Sequence, residues 1–154
     1  MAPFTTKTFI MKNLILSALL AVTVSTAFAT GETKISYFVL NSFKHDFKDV
    51  TNVTWTSKTG LAKASFIYNN QKMDAFYNPN GSLFATSKNI NLDELPVGAK
   101  RSFAKRYEGY SVKEAIKYES QDEQSYYISA ENEKESLIIK IDEAEHLQLF
   151  KRIR

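Results

Sequence analysis

Apolar residues recur at every fourth position in two stretches of the chain. Val39, Phe43 and Phe47 form one set, and Ala99, Phe103 and Tyr107 form the other. Residues four apart share a helix face, so each set is the apolar stripe of an amphipathic helix. The first helix is predicted over Ile35–Phe47. The second starts at Leu95-Pro96, since proline disfavours helix in the residue before it and suits a first turn, where no amide donor is needed. Asp93 and Glu94 lie just upstream and Lys105 and Arg106 near the end, the arrangement a helix dipole favours. Gly109 supplies a left-handed stop. Gly98 inside the helix costs about 1 kcal/mol relative to alanine, which the rest of the pattern outweighs.

After each helix the apolar period changes from four to two. Asn52–Lys58, Leu61–Asn69, Gln71–Tyr77 and Ser82–Ser87 follow the first helix, with Asn69-Asn70 and Asn78-Pro79-Asn80-Gly81 as turns. Ser111–Tyr118, Ser125–Ala130, Lys134–Ile141 and His146–Arg152 follow the second. The helix stripes are offset by 60 residues, and later pairs such as Phe76/Ile139 and Phe84/Leu147 by 63. The pattern predicts an α+β protein of two tandem helix-plus-four-strand units, about 35–88 and 92–152, with antiparallel strands.

Met11-Lys12-Asn13, the apolar run Leu14–Val24 and the Ala27-Phe28-Ala29 site form an export signal. Residues 1–29 are therefore expected to be a signal peptide, with Met11 as an alternative start, and 30–154 a single periplasmic or secreted domain. The apolar run is shorter than the ~20 residues of a spanning helix, so no membrane span is expected after cleavage.

Of the 154 residues, 44% are hydrophobic and 24% charged, the balance of a folded globular chain. The formal charge of +3 falls to +1 without Lys7 and Lys12, leaving 18 basic residues against 17 acidic. Net charge gives no basis for nucleic-acid binding. The chain has no cysteine, which excludes disulfides, thiolate metal sites and thiol catalysis.

Phe47-Lys-Asp-Val-Thr-Asn-Val-Thr-Trp55, the Tyr77-Asn-Pro-Asn-Gly81 turn, and Leu95-Pro96 followed by Ala99, Phe103, Tyr107, Gly109 and Tyr110 together resemble the PepSY-like, β-lactamase-inhibitor-like family of small exported bacterial proteins of Bacteroidetes type. The resemblance covers Ile35 to the C-terminus. It implies one continuous antiparallel sheet with helices packed on one face, and it implies no settled activity, because a fold does not fix a function. The chain departs from the family at Lys48-Asp49, where proline or glycine often follows the first helix. It departs again at Asp142–His146, a turn without the expected glycine, which predicts a less regular last hairpin.

Catalytic chemistry is hard to find. There is no nucleophile-elbow serine motif, no phosphate-cradling glycine loop and no paired-carboxylate motif. His45-Asp46 and the acidic turn Asp142, Glu143, Glu145, His146 read as exposed polar positions, since neither has the ligand spacing of a metal site. Lys100, Arg101, Lys105 and Arg106 read as the wet side of the second helix. No catalytic residue, cofactor or metal is expected. The 8 Tyr, 11 Phe and 1 Trp carry more information. Trp55, Phe43, Phe103, Phe66, Phe76 and Phe84 are expected between helix and sheet. Met73, Tyr77, Leu83, Tyr127, Ile138 and Phe150 are expected on the alternate strand face. Large apolar patches on an uncovered face mark partner sites. Tyr77, Leu83, Tyr127 and Phe150 are accordingly the candidate binding residues, for an exported protein or peptide. An envelope enzyme built on carboxylates brought together by folding, and a structural envelope protein without a specific ligand, are the alternatives.

Overall fold

A computed structural model describes residues 34–153. The expected signal peptide and its cleavage site lie outside them. Helix α1 (Tyr37–Asp46) precedes strands β1 (Thr54–Lys58), β2 (Leu61–Tyr68), β3 (Gln71–Tyr77) and β4 (Leu83–Asn89). A 3₁₀ turn (Leu92–Glu94) leads into α2 (Val97–Arg106), followed by β5 (Ser111–Ser120), β6 (Gln124–Glu131), β7 (Ser136–Ile141) and β8 (Leu147–Arg152). The strands form one antiparallel meander in sequence order, β1 to β8.

Tight turns set the registers. Thr59-Gly60 and Asn69-Asn70 all have positive φ, the two-residue geometry whose twist matches a hairpin. They place Lys58 opposite Leu61 and Tyr68 opposite Gln71. One row of paired residues then crosses seven strands, Phe66–Met73–Lys88–Lys117–Tyr126–Ile141–Leu147. Directly paired residues point to the same side of a sheet. Phe66 and Met73 pack with Val39 and Phe43 of α1 and with Phe47 just after it, while Tyr126, Ile141 and Leu147 pack with Ala99 and Tyr107 around α2. Both helices therefore lie on the same face. Between them the row carries Lys88 and Lys117, so the two apolar clusters are separated by a polar strip over β4 and β5.

Phe43 is the hub of the first cluster. Its ring centroid lies 5.1 Å from Trp55, 5.1 Å from Phe66 and 5.4 Å from Phe47. Small residues beneath it, Ala62, Ala64 and Ala75, let α1 approach the sheet. In the second cluster the corresponding floor is Ala115, Ile128, Ala130, Leu137 and Ile139, with Phe103 stacked on Tyr107 at 5.3 Å.

The β3–β4 and β7–β8 turns each touch the start of a helix. Ser36 caps α1 by accepting from the Val39 amide (3.4 Å), and its hydroxyl donates to the Pro79 carbonyl (3.0 Å). Gly81 has φ +88, and a Cβ there would lie 2.9 Å from the Phe38 carbonyl oxygen, so this turn needs glycine on both counts. In the last hairpin Glu145 holds the left-handed position instead, at φ 62. Its carboxylate accepts from the Ala99 amide at 3.0 Å, filling an N-terminal hydrogen-bond position that Pro96 leaves uncapped. The β7–β8 turn is closed by the same bonds as the β3–β4 turn, although its strands pair across a bulge at Ile138/Ile139. The Asp142 amide donates to His146 O (3.2 Å) and the Glu145 amide to Asp142 O (3.0 Å), matching the Asn78–Ser82 and Gly81–Asn78 bonds at 2.9 Å each. The His146 amide donates to the Asp142 carboxylate and holds that carboxyl below its ordinary pKa.

Candidate functional site

The face away from the helices is lined by two further paired rows. Ser65–Asp74–Ser87–Tyr118–Ser125 spans β2 to β6, and Asn89–Ile116–Tyr127–Lys140–Gln148 spans β4 to β8. Phe76 and Ile138 lie on the same face, alternating with residues of the helix-side clusters. Among the described residues no helix packs on it. Its character changes across the sheet. Over β2–β4 it carries Lys63, Ser65, Asp74 and Ser87, with Lys63 3.6 Å from Asp74. Over β5–β8 it is largely apolar and aromatic, built from Ile116, Tyr118, Tyr127, Ile138 and Phe150, but the first four are buried and only Phe150 is partly exposed, so the patch is less open than the alternation predicts.

The rings meet edge to face. Tyr118 and Tyr127 lie 6.4 Å apart and Tyr127 and Phe150 5.5 Å apart, both near perpendicular. A bulge between Ile138 and Ile139 opposes Lys151 and Leu149, leaving Phe150 as the extra residue, and its ring turns onto Tyr127. Lys140 stands 6.0 Å from the Tyr127 ring and pairs with Glu123. Burial opposes the Lys140 charge, yet Glu123 and Tyr127 together hold its pKa above the ordinary lysine value. Tyr118 is 4% exposed, and its hydroxyl has no hydrogen-bond partner. Burial pushes its pKa from 10.0 to about 12, with the nearby Ser120 hydroxyl moderating the rise. An orphaned buried hydroxyl costs about 1–3 kcal/mol. Such a group is uncommon in a folded domain.

The four residues singled out by sequence divide between the two faces. Tyr127 and Phe150 are on the helix-free face, where alternation placed them. Tyr77 and Leu83 are not. Tyr77 is fully buried under α1, and Leu83 packs on the same cluster. Met73 joins them there, while Phe76 is on the opposite face. The register decides this: β2 turns Ala62, Ala64 and Phe66 to the helix, and Tyr77 pairs directly with Ala62. Ala75, Phe76 and Tyr77 are all buried, so β3 gives no alternation from which its phase could be read. Phe84 falls at the irregularity where Tyr77 pairs Leu83 and Phe76 pairs Ala85. The Tyr77 hydroxyl donates to Asp46 (3.0 Å), and burial with this carboxylate raises its pKa strongly. Asp46 also meets His45 Nδ1 at 3.1 Å. His45 and Asp46 border an open hollow with Asn41, Ser42, Leu83 and Gln121, yet among the described residues no three potential ligands gather for a metal ion. Tyr118 escaped the sequence reading because nothing in Glu114–Tyr118 distinguishes its face from that of a core residue.

Three further pairs of charged groups meet as ion pairs. Glu131 pairs Lys113 at 2.6 Å, Glu119 pairs Lys117 at 2.8 Å, and Glu135 pairs Arg152 at 2.8 Å. Arg106 is exposed, as expected of the wet side of its helix, and it also donates to the Leu147 carbonyl at 3.1 Å.

This is the architecture of a small α+β domain with one eight-stranded antiparallel sheet. It is shared with solved structures from Bacteroides, and the likeness to BLIP-like proteins read from the motifs holds in the fold. A BLIP-like protein from Bacteroides fragilis aligns with a TM-score of 0.69 at 16% identity, over 80% of this chain and 90% of that one. A DUF2874 family protein from Bacteroides ovatus aligns at 0.68 and 18%, over 77% and 86%. A protein named as periplasmic from Bacteroides eggerthii aligns at 0.70 and 13%, over 79% and 88%. Identities this low establish a common fold. The sequence matches no protein-family model and no curated protein. No helix among the described residues is long and apolar enough to cross a membrane.

Proposed function

We infer that this chain is an exported, non-catalytic domain that binds a protein or peptide on the helix-free sheet face, over β5–β8. The observation that carries the reading is the edge-to-face aromatic chain Tyr118–Tyr127–Phe150, which ends at the partly exposed Phe150 on a face that no helix among the described residues covers. Tyrosine and phenylalanine supply contact area at low entropic cost, and a polar atom among them supplies specificity. Export to the periplasm or beyond is supported by the signal-like residues 1–29 and by the naming of the Bacteroides eggerthii neighbour. The same reading takes residues 35–88 and 92–152 as tandem copies of one unit. Its support is the matched C-caps, Phe47 on Phe43 and Tyr107 on Phe103 at 2.9 Å each, and the matched turns at Asn78 and Asp142.

The experiment is affinity purification of the tagged protein from its native envelope, quantified for wild type, Tyr118→Phe, Tyr127→Ala and Phe150→Ala. Circular dichroism verifies that each variant is folded. Partners recovered with wild type are expected to fall away with the folded variants. A partner set unchanged in all three removes this face from consideration.

A further inference from the structure

The sheet is open, and its two edges differ. On the β8 edge, Phe150 is bulged out of register, Lys151 and Arg152 end the strand, and Arg106 from α2 caps the Leu147 carbonyl. Bulges, charges and side-chain covers are the devices that keep an edge from pairing with another chain. The β1 edge has neither a bulge nor a side-chain cover among the described residues. Thr54–Lys58 pairs with β2 in unbroken register, and four of its five residues are exposed. Its one charge sits at its end, and among the described residues no side chain hydrogen-bonds to its backbone.

We propose that β1 is a self-association edge, at which a second copy of this chain pairs antiparallel about a two-fold axis through Thr56. The occupant follows from the strand's own sequence. Antiparallel pairing centred on Thr56 sets Thr54 of one copy opposite Lys58 of the other and Trp55 opposite Ser57. No like charges oppose, and the central Thr–Thr pair is a favourable cross-strand combination. A two-fold contact consumes the open edge of both copies. The guarded β8 edges then face outward, so assembly stops at a dimer with sixteen strands in one sheet. This contact is at the sheet's edge and does not depend on the recognition face proposed above.

Sedimentation equilibrium over a concentration series tests it. Wild type is expected to show reversible monomer–dimer behaviour, with amide exchange of residues 54–58 slowing as concentration rises. Thr56→Lys puts two lysines face to face across the axis and is expected to weaken association about five- to tenfold. Within one chain Thr56 pairs with Lys63, so Thr56→Lys is also expected to lower the thermal midpoint of the dilute monomer slightly, and association is compared at temperatures where both forms are fully folded. Mixing Thr56→Lys chains with Thr56→Glu chains is expected to restore association as a heterodimer. A wild type that stays monomeric throughout, a dimer indifferent to Thr56→Lys, or a mixture that fails to associate would each overturn the proposal.

Discussion

Glu145 and Gly98 make a pair whose energetics can be worked from geometry. Glu145 reaches from the β7–β8 turn to the first turn of α2, and a Cβ on Gly98 would fall 2.1 Å from its Oε2. The glycine that weakens the helix on paper is thus the space through which the helix is capped. Glu145→Ala removes the acceptor for the Ala99 amide and a negative charge from the helix's positive end, a loss of about 1 kcal/mol. Glu145→Gly loses the same contact but relieves a left-handed backbone that costs a non-glycine residue about 1 kcal/mol, so its net effect is close to zero. Gly98→Ala in the wild type gains up to about 1 kcal/mol of helix propensity and displaces the carboxylate, again nearly cancelling. In the Glu145→Ala background the displacement costs nothing and the gain is kept. The double-mutant cycle is therefore expected to give a coupling of about 1 kcal/mol between residues 47 apart in sequence, equivalent to about 3–5 °C in Tm. Urea unfolding followed by Trp55 fluorescence, with unchanged m-values, measures all four corners. If Gly98→Ala stabilises both backgrounds equally, or Glu145→Gly is as damaging as Glu145→Ala, the capping argument is wrong.

Other expectations are simpler. Phe43→Ala removes the ring at the centre of the first cluster and should cost about 3–5 kcal/mol, seen as a large drop in the urea midpoint; a loss below about 1 kcal/mol would mean that the cluster is not a core. Thr59→Asn replaces a β-branched residue at φ 52 with one that tolerates left-handed backbone, and should raise stability by about 1 kcal/mol in calorimetry. Tyr118 ionises at 10.0 when unfolded and at about 12 when folded, so the unfolded chain loses that proton first as pH rises. Its contribution is whole below pH 10.0 and declines towards about 12. Tyr118→Phe should therefore flatten the alkaline fall in stability measured by urea titration, and a curve parallel to wild type over that range would count against the hydroxyl being buried.

The elements of the fold were legible because their signals are local. A four-residue apolar step, a proline at a helix start and asparagine-rich turns each act within a few residues, and each helix and strand formed where such a signal stood. Gly98 and the glycine-free turn at Asp142–His146 were read as two separate irregularities. They are one feature, a long-range cap that joins the β7–β8 turn to α2, and no local window contains both halves. The meaning of Gly98 depends on a carboxylate 47 positions away.

The candidate site was half legible for a related reason. Alternation assigns faces correctly when one face is polar, as in β2, where Ala62, Ala64 and Phe66 alternate with Lys63, Ser65 and Ile67. It fails in β3, where Ala75-Phe76-Tyr77 is apolar throughout, because both faces are buried there and the period of two disappears. A phase error of one residue moved Tyr77 and Leu83 to the wrong side and Phe76 with them. The correction comes from the partner strand, since pairing Tyr77 with Ala62 fixes its side whatever its neighbours are. In β6 the phase survives despite continuous burial from Ser125 to Ile128: Tyr126 and Ile128 lie on the helix side and Tyr127 on the other, in step with Ile138 and Phe150. What distinguishes Tyr118 from its neighbours is the absence of a hydrogen-bond partner. That property belongs to the folded surroundings of one oxygen atom, and so only the folded chain could point to it.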